Sequence, residues 1–164
     1  MPRPSQKDKI LDAALECFSQ RGYAATRLRD FSAQLTRLAR EREPVVEKLR
    51  DVLHLCLATY RAKPAAFSFV LLNMPSFMPQ LSPDTVYPLD VIEQIMAAGQ
   101  QQGAVRPGQP NLLAAIFLGC VLRPIIMSQL ADPGALDLLH DTHHDQVIID
   151  AALAAVTLPI SDKE

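Results

Sequence analysis

One hundred and sixty-four residues, about half of them apolar and none of them Trp, are enough to bury a core and too apolar to stay disordered. The formal net charge of −2 hides a segregation, with thirteen Lys/Arg against eight Asp/Glu in residues 1–63 and three against ten in residues 64–164. A basic front and an acidic, apolar rear predict one part that meets polyanion and one that does not.

At the N-terminus, Met1-Pro2-Arg3-Pro4 has no apolar run behind it, so no signal peptide is expected. An amphipathic helix is predicted from Ser5 to Arg21, with Ser5 and Asp8 arranged like a capping box. Ile10, Leu11, Ala14, Cys17 and Phe18 share one face of it. Gly22 is expected to close this helix at C′, and Thr26 to cap a short second one with its hydroxyl and first backbone amides near a phosphate. Cys17, Cys56 and Cys120 are odd in number, widely spaced and set in apolar helical patterns. With no CxxC or Cys/His spacing, neither a disulfide framework nor a zinc site is expected, and a reducing cytoplasm is the natural compartment.

Lys9-Ile10-Leu11-Asp12-Ala13-Ala14-Leu15-Glu16-Cys17-Phe18, then Arg21-Gly22-Tyr23, then Thr26, Arg29 and Asp30 resemble the opening of the TetR family of transcriptional regulators. In that family the residues after Asp30 complete a second helix, a Gly-containing turn and a recognition helix. Here Phe31 leads directly into Ser32-Ala33-Gln34-Leu35-Thr36-Arg37-Leu38-Ala39-Arg40, which reads like the start of the long helix that follows the headpiece. Two accounts fit: the chain lacks the recognition helix, or residues are missing at this point. The second is the expectation, because a helix-turn-helix cannot read a major groove without its second helix. It requires a break, or Cα spacing unlike the ~3.8 Å of a trans peptide, between about Arg29 and Leu35. The resemblance implies a DNA-binding headpiece over residues 1–43, incomplete as it stands, with Lys7, Lys9, Tyr23, Thr26, Arg27 and Arg29 near operator phosphates.

Pro44 opens a clear helix to about Ala62, with Val45/Val46, Leu49, Val52/Leu53, Cys56/Leu57 and Tyr60 on its apolar stripe. Pro64 starts a helix apolar almost all round, expected to be buried on all sides and to end near Asn73 ahead of Pro75. Pro75, Pro79, Pro83 and Pro88 punctuate an irregular connector. A helix from about Leu89 to Gln102 then turns Ile92, Ile95, Met96 and Gly99 inward. Two final helices are predicted, Pro110 to Leu130 and roughly Leu136 to Thr157. The first approaches membrane length, but Arg123-Pro124 interrupts it, and it reads as a buried helix with no membrane partner. No strand-like alternation appears, so the predicted fold is all-α, a partial helix-turn-helix headpiece followed by a helical ligand-binding and dimerisation domain over residues 44–164.

The last two helices carry apolar residues on more than one face. By pattern and by the resemblance, Leu113, Ile116, Gly119, Cys120, Ile148, Ile149, Ala152 and Val156 are expected to pair with a second copy in a homodimer. Such a dimer holds two headpieces about 34–36 Å apart on a palindrome. The resemblance also implies a pocket for a small apolar ligand, lined by Phe67, Phe69, Leu72, Met74, Phe77, Met78, Tyr87, Ile92, Met96, Phe117 and Met127. Arg123, a lone cation inside an apolar helix, either anchors an acidic ligand or forms an ion pair with Asp90, Glu93 or a residue of the second copy. His140 and His144 are spaced i,i+4, which suits a metal on a helix face, but dipole-satisfying residues at a helix start explain the cluster equally well, and no metal or cofactor is expected. With no Ser/His/Asp order, phosphate loop or paired-carboxylate spacing, the chain reads as a ligand-responsive repressor rather than an enzyme, or as a dimeric small-molecule binder of the same fold without DNA contact.

Overall fold

A computed structural model describes residues 22, 25–77, 85–130 and 136–159. Among these the chain is all-α, and the sole strand-like feature is an isolated antiparallel bridge between Val105 and Thr157.

The first described helix, α1, runs without interruption over 25–40. This continuity covers Arg29 to Leu35, the stretch where the expectation places a break. Its cause is plain in the residues: no Gly or Pro falls between Ala25 and Arg40, and Leu28, Phe31, Leu35 and Leu38 recur at helical spacing. Gly22 is helical rather than a stop, and Thr26 does not cap a new helix, since its hydroxyl donates to the Gly22 carbonyl at 3.0 Å. The helix ends in bends at 41–43, where the Lys48 ammonium donates to the Ala39 carbonyl at 2.7 Å and sets a cation on its negative end.

Pro44 then starts α2, Val45–Ala62, whose buried face is Val45, Leu49, Val52, Leu53, Cys56, Leu57 and Tyr60, the stripe read from the sequence except for Val46, which is half-buried. It is the central helix, packing against α3 (Pro64–Phe77), α4 (Pro88–Gln101), α5 (Pro110–Leu130) and α6 (Asp145–Val156). Leu35 of α1, with no exposed surface, joins the same core as Leu49, Leu53, Ile92, Phe117 and Ile149.

Three helices differ from their expected form. α3 continues through Pro75 to Phe77, because a proline near a helix end costs only the bond its missing N–H would have made. It is also not buried on all sides: Ala65 is exposed and Ala66, Phe67, Phe69 and Val70 are half-buried. α6 begins at Asp145 rather than near Leu136. Upstream, the Asp137 carboxylate accepts the amides of Leu139 and His140, and Asp141 accepts that of His143, turns that compete with a helix. α5 has the length and hydropathy of a membrane span over Pro110–Gln129, yet only 28% of that stretch is buried. One side packs on α4 and α6. The other shows solvent Leu112, Ile116, Gly119, Arg123 and Met127.

Gly99 sets how closely α4 approaches its neighbours, since a Cβ there would lie 2.5 Å from Val105 Cγ2 and 2.8 Å from Val45 Cγ1. Gly99→Ala is expected to cost about 1–2 kcal/mol, overpacking outweighing the roughly 1 kcal/mol gained in helix propensity. A urea midpoint equal to or above wild type would contradict this close approach.

Candidate functional site

A cleft of about 630 Å³ opens between α1, α2, α3 and α5. Leu28, Phe31 and Gln34 line it from α1, Leu55, Cys56, Ala58, Thr59 and Ala62 from α2, Ala66, Phe67 and Val70 from α3, and Ala115, Leu118, Gly119 and Leu122 from α5, with Pro88 and Leu89 closing one end. Small residues create the space: Ala58/Ala62 and Ala115/Gly119 are i,i+4 pairs on facing helices, where larger side chains would have filled it. α3, apolar almost throughout and half-buried at Ala66, Phe67 and Val70, forms one wall. One aromatic and one polar contact hold that wall. Phe67 meets the Tyr60 ring edge-on at 5.9 Å, and Ser68 and Gln129 of α5 bond to each other.

The charged groups of the cleft are Arg27, Asp30 and Lys63, with Arg27 Nη1 3.7 Å from Asp30 Oδ2. The Thr59 hydroxyl donates to the Leu55 carbonyl at 2.6 Å, so its proton is not free for a ligand. Burial pushes the Cys56 thiol up to about 12, which keeps it neutral and unreactive as a nucleophile. This arrangement suits an apolar body with one polar end near Arg27 and Lys63.

The residues expected to line a ligand pocket are largely elsewhere. Phe67 does line the cleft. Ile92, Met96 and Phe117 have no exposed surface and are plain core, because their faces of α4 and α5 turn inward against α2 and α6. Phe69 and Tyr87 pack on Leu28. Met127 stands 42% exposed on α5. Arg123 is exposed and makes no ion pair with Asp90, Glu93 or any other described residue, so solvent satisfies its charge. Met78 and the side chains of Leu72, Met74 and Phe77 lie outside the described residues, as do Lys7, Lys9 and Tyr23.

Of the expected DNA contacts that are described, Arg27 faces the cleft, while Arg29, two residues on and so across the helix, lines a different pocket. The expected dimer residues divide as well. Leu113, Ile148, Ile149, Ala152 and Val156 are buried within one protomer, Cys120 is half-buried, and Ile116 and Gly119 are exposed. Of these, Ile116 and Gly119 are the ones on an outward face of a single protomer.

Near the start of α6, Arg61 reaches from α2 to hold the connector. Its guanidinium donates to both Asp145 carboxylate oxygens at 2.6 and 2.7 Å and to the carbonyls of Leu138 at 3.0 Å and Asp141 at 3.3 Å. The hydrogen bonds to Asp145 raise the Arg61 pKa above its ordinary value. The nearby histidines are not set on one helix face. His140 Nδ1, 2.9 Å from Asp137, holds that carboxyl below its usual range, and the His143 backbone amide, followed by His143 Nδ1 at 2.7 Å, does the same for Asp141. Among the described residues no group of three or more His, Cys, Asp or Glu is placed to hold a metal.

No known family, curated protein or solved structure matches this chain.

Proposed function

We propose that the chain is a small-molecule-binding helical protein with the architecture of a TetR-type regulatory domain, acting as a homodimer, and that the cleft between α1, α2, α3 and α5 holds its apolar ligand. The observation that carries this reading is the cleft itself: a half-exposed apolar helix faces rows of alanine across about 630 Å³, where an ordinary core would be filled. The exposed Leu112, Ile116 and Met127 of α5, with Val147 of α6 and Leu158 just beyond it, supply the apolar surface for the second copy.

Operator binding by a repressor that an apolar effector releases is the second reading, favoured by the resemblance over residues 9–30 and by the basic front of the chain. In it, ligand biases the dimer between two headpiece spacings, and only to the extent that it binds one state more tightly. An uninterrupted α1 provides no recognition helix between Asp30 and Leu35, which is why the binding reading comes first.

Native mass spectrometry of the purified protein tests both. The expected spectrum is a dimer carrying an apolar molecule, with duplex DNA binding that is weak and falls steeply with salt. A monomer with no retained or added apolar ligand would contradict the first reading, and tight sequence-selective duplex binding would install the second.

A further inference from the structure

A second pocket, about 600 Å³ and open, lies between α1 and the segment at Thr85 and Val86, on a different side of α1 from the cleft. Arg29, Arg37 and Arg40 line it together with Ser32, Ala33 and Thr36. Their spacing of i, i+8 and i+11 keeps the three guanidinium groups within one face of the helix. None of the three forms an ion pair with a described residue, and the neighbouring carboxylate of Asp30 is taken by Arg27. One buried group in the same wall is also unsatisfied. Thr26, Thr36, Thr59 and Ser68 each donate to the carbonyl four residues earlier, whereas the Ser32 hydroxyl, on a residue only 3% exposed, makes no hydrogen bond with any described residue. A buried hydroxyl without such a partner is open to one supplied from outside the chain.

We propose that this pocket binds a small phosphorylated molecule of nucleotide size. The forks of Arg37 and Arg40, one helical turn apart, take the phosphates, and Ser32 supplies a hydroxyl at the wall. Arg29 takes a second anionic or polar group about 12 Å along the helix, and Ala33 and Val86 provide an apolar surface for the body between them. A lining confined to one stretch of α1 and to Thr85 and Val86 suits a discrete ligand better than the continuous backbone of a duplex. The site is independent of the apolar ligand cleft.

Isothermal titration of the full chain with ADP, and separately with inorganic pyrophosphate, tests it. One site per chain is expected for ADP, with pyrophosphate competing. The double variant R37Q/R40Q is expected to lose at least about tenfold in affinity while keeping its thermal midpoint. Ser32→Ala is expected to weaken ADP binding without lowering stability, an outcome that a purely structural serine would not give. The proposal is overturned if neither probe binds wild type, if R37Q/R40Q binds as well as wild type, or if duplex DNA depends on Arg37 and Arg40 while ADP and pyrophosphate do not bind.

Discussion

Phe117→Ala is expected to lower unfolding free energy by about 3–5 kcal/mol, a large share of the stability of a domain this size. Phe117 is among the largest side chains with no exposed surface, on the face of α5 that packs against α4 and α6 within the core containing Leu53, Ile92 and Ile149. Its loss removes the transfer energy of an aromatic ring and leaves a cavity that helices fixed on several sides cannot close. The adjacent Ile116 is 44% exposed, so Ile116→Ala should change the urea midpoint of the single chain little and weaken self-association instead. Chemical denaturation of both variants at low protein concentration checks the pair. Equal losses would mean that α5 is rotated from the orientation described.

Arg61→Ala is expected to cost about 2–4 kcal/mol, because it strands a largely buried carboxylate and leaves two carbonyls without their donor. The side chains of Arg61 and Asp145 are only 22% and 19% exposed, and the pair is bidentate, unlike the half-exposed Arg27–Asp30 and Arg50–Glu47 pairs, which contribute little. The consequence is local as well as global, since Arg61 is the tie between α2 and the 136–145 connector. Amide exchange in that connector should rise in Arg61→Ala, and Arg61→Lys should restore only part of the protection, because an ammonium cannot satisfy both carboxylate oxygens and both carbonyls in a planar fork. A double-mutant cycle with Asp145→Ala that gave no coupling would refute the clamp.

Periodicity and punctuation made much of this architecture legible. Pro44, Pro88 and Pro110 mark the starts of α2, α4 and α5, and the buried stripe of α2 was readable residue by residue because polar Glu47, Arg50 and Asp51 flank it. Where polarity does not alternate, sequence loses its power. α3 and α5 are apolar on most faces, so nothing in their composition says which face is core, which is cleft wall and which is solvent, and residues such as Ile92, Met96 and Phe117 fit a pocket or a core equally well. Large Met and aromatic side chains alone do not mark the cleft. The available signal was the small ones, Ala58, Ala62, Ala115 and Gly119, since space is made by what is absent from a wall. The 136–145 connector continues the apolar pattern of α6 yet is not helical, because its Asp side chains capture backbone amides that a helix would need.

The cleft as an apolar ligand site is most directly tested by filling it. Ala58 is exposed on the cleft side of α2 and away from the outward face of α5, so Ala58→Phe places a ring in the cleft without displacing core, at a propensity cost of only about 0.5 kcal/mol. Titration with an anionic naphthalene dye is predicted to show saturable fluorescence enhancement in the folded wild type and its loss in Ala58→Phe, the two proteins having nearly the same thermal midpoint. Undiminished dye binding by Ala58→Phe, or none by wild type, would contradict the account.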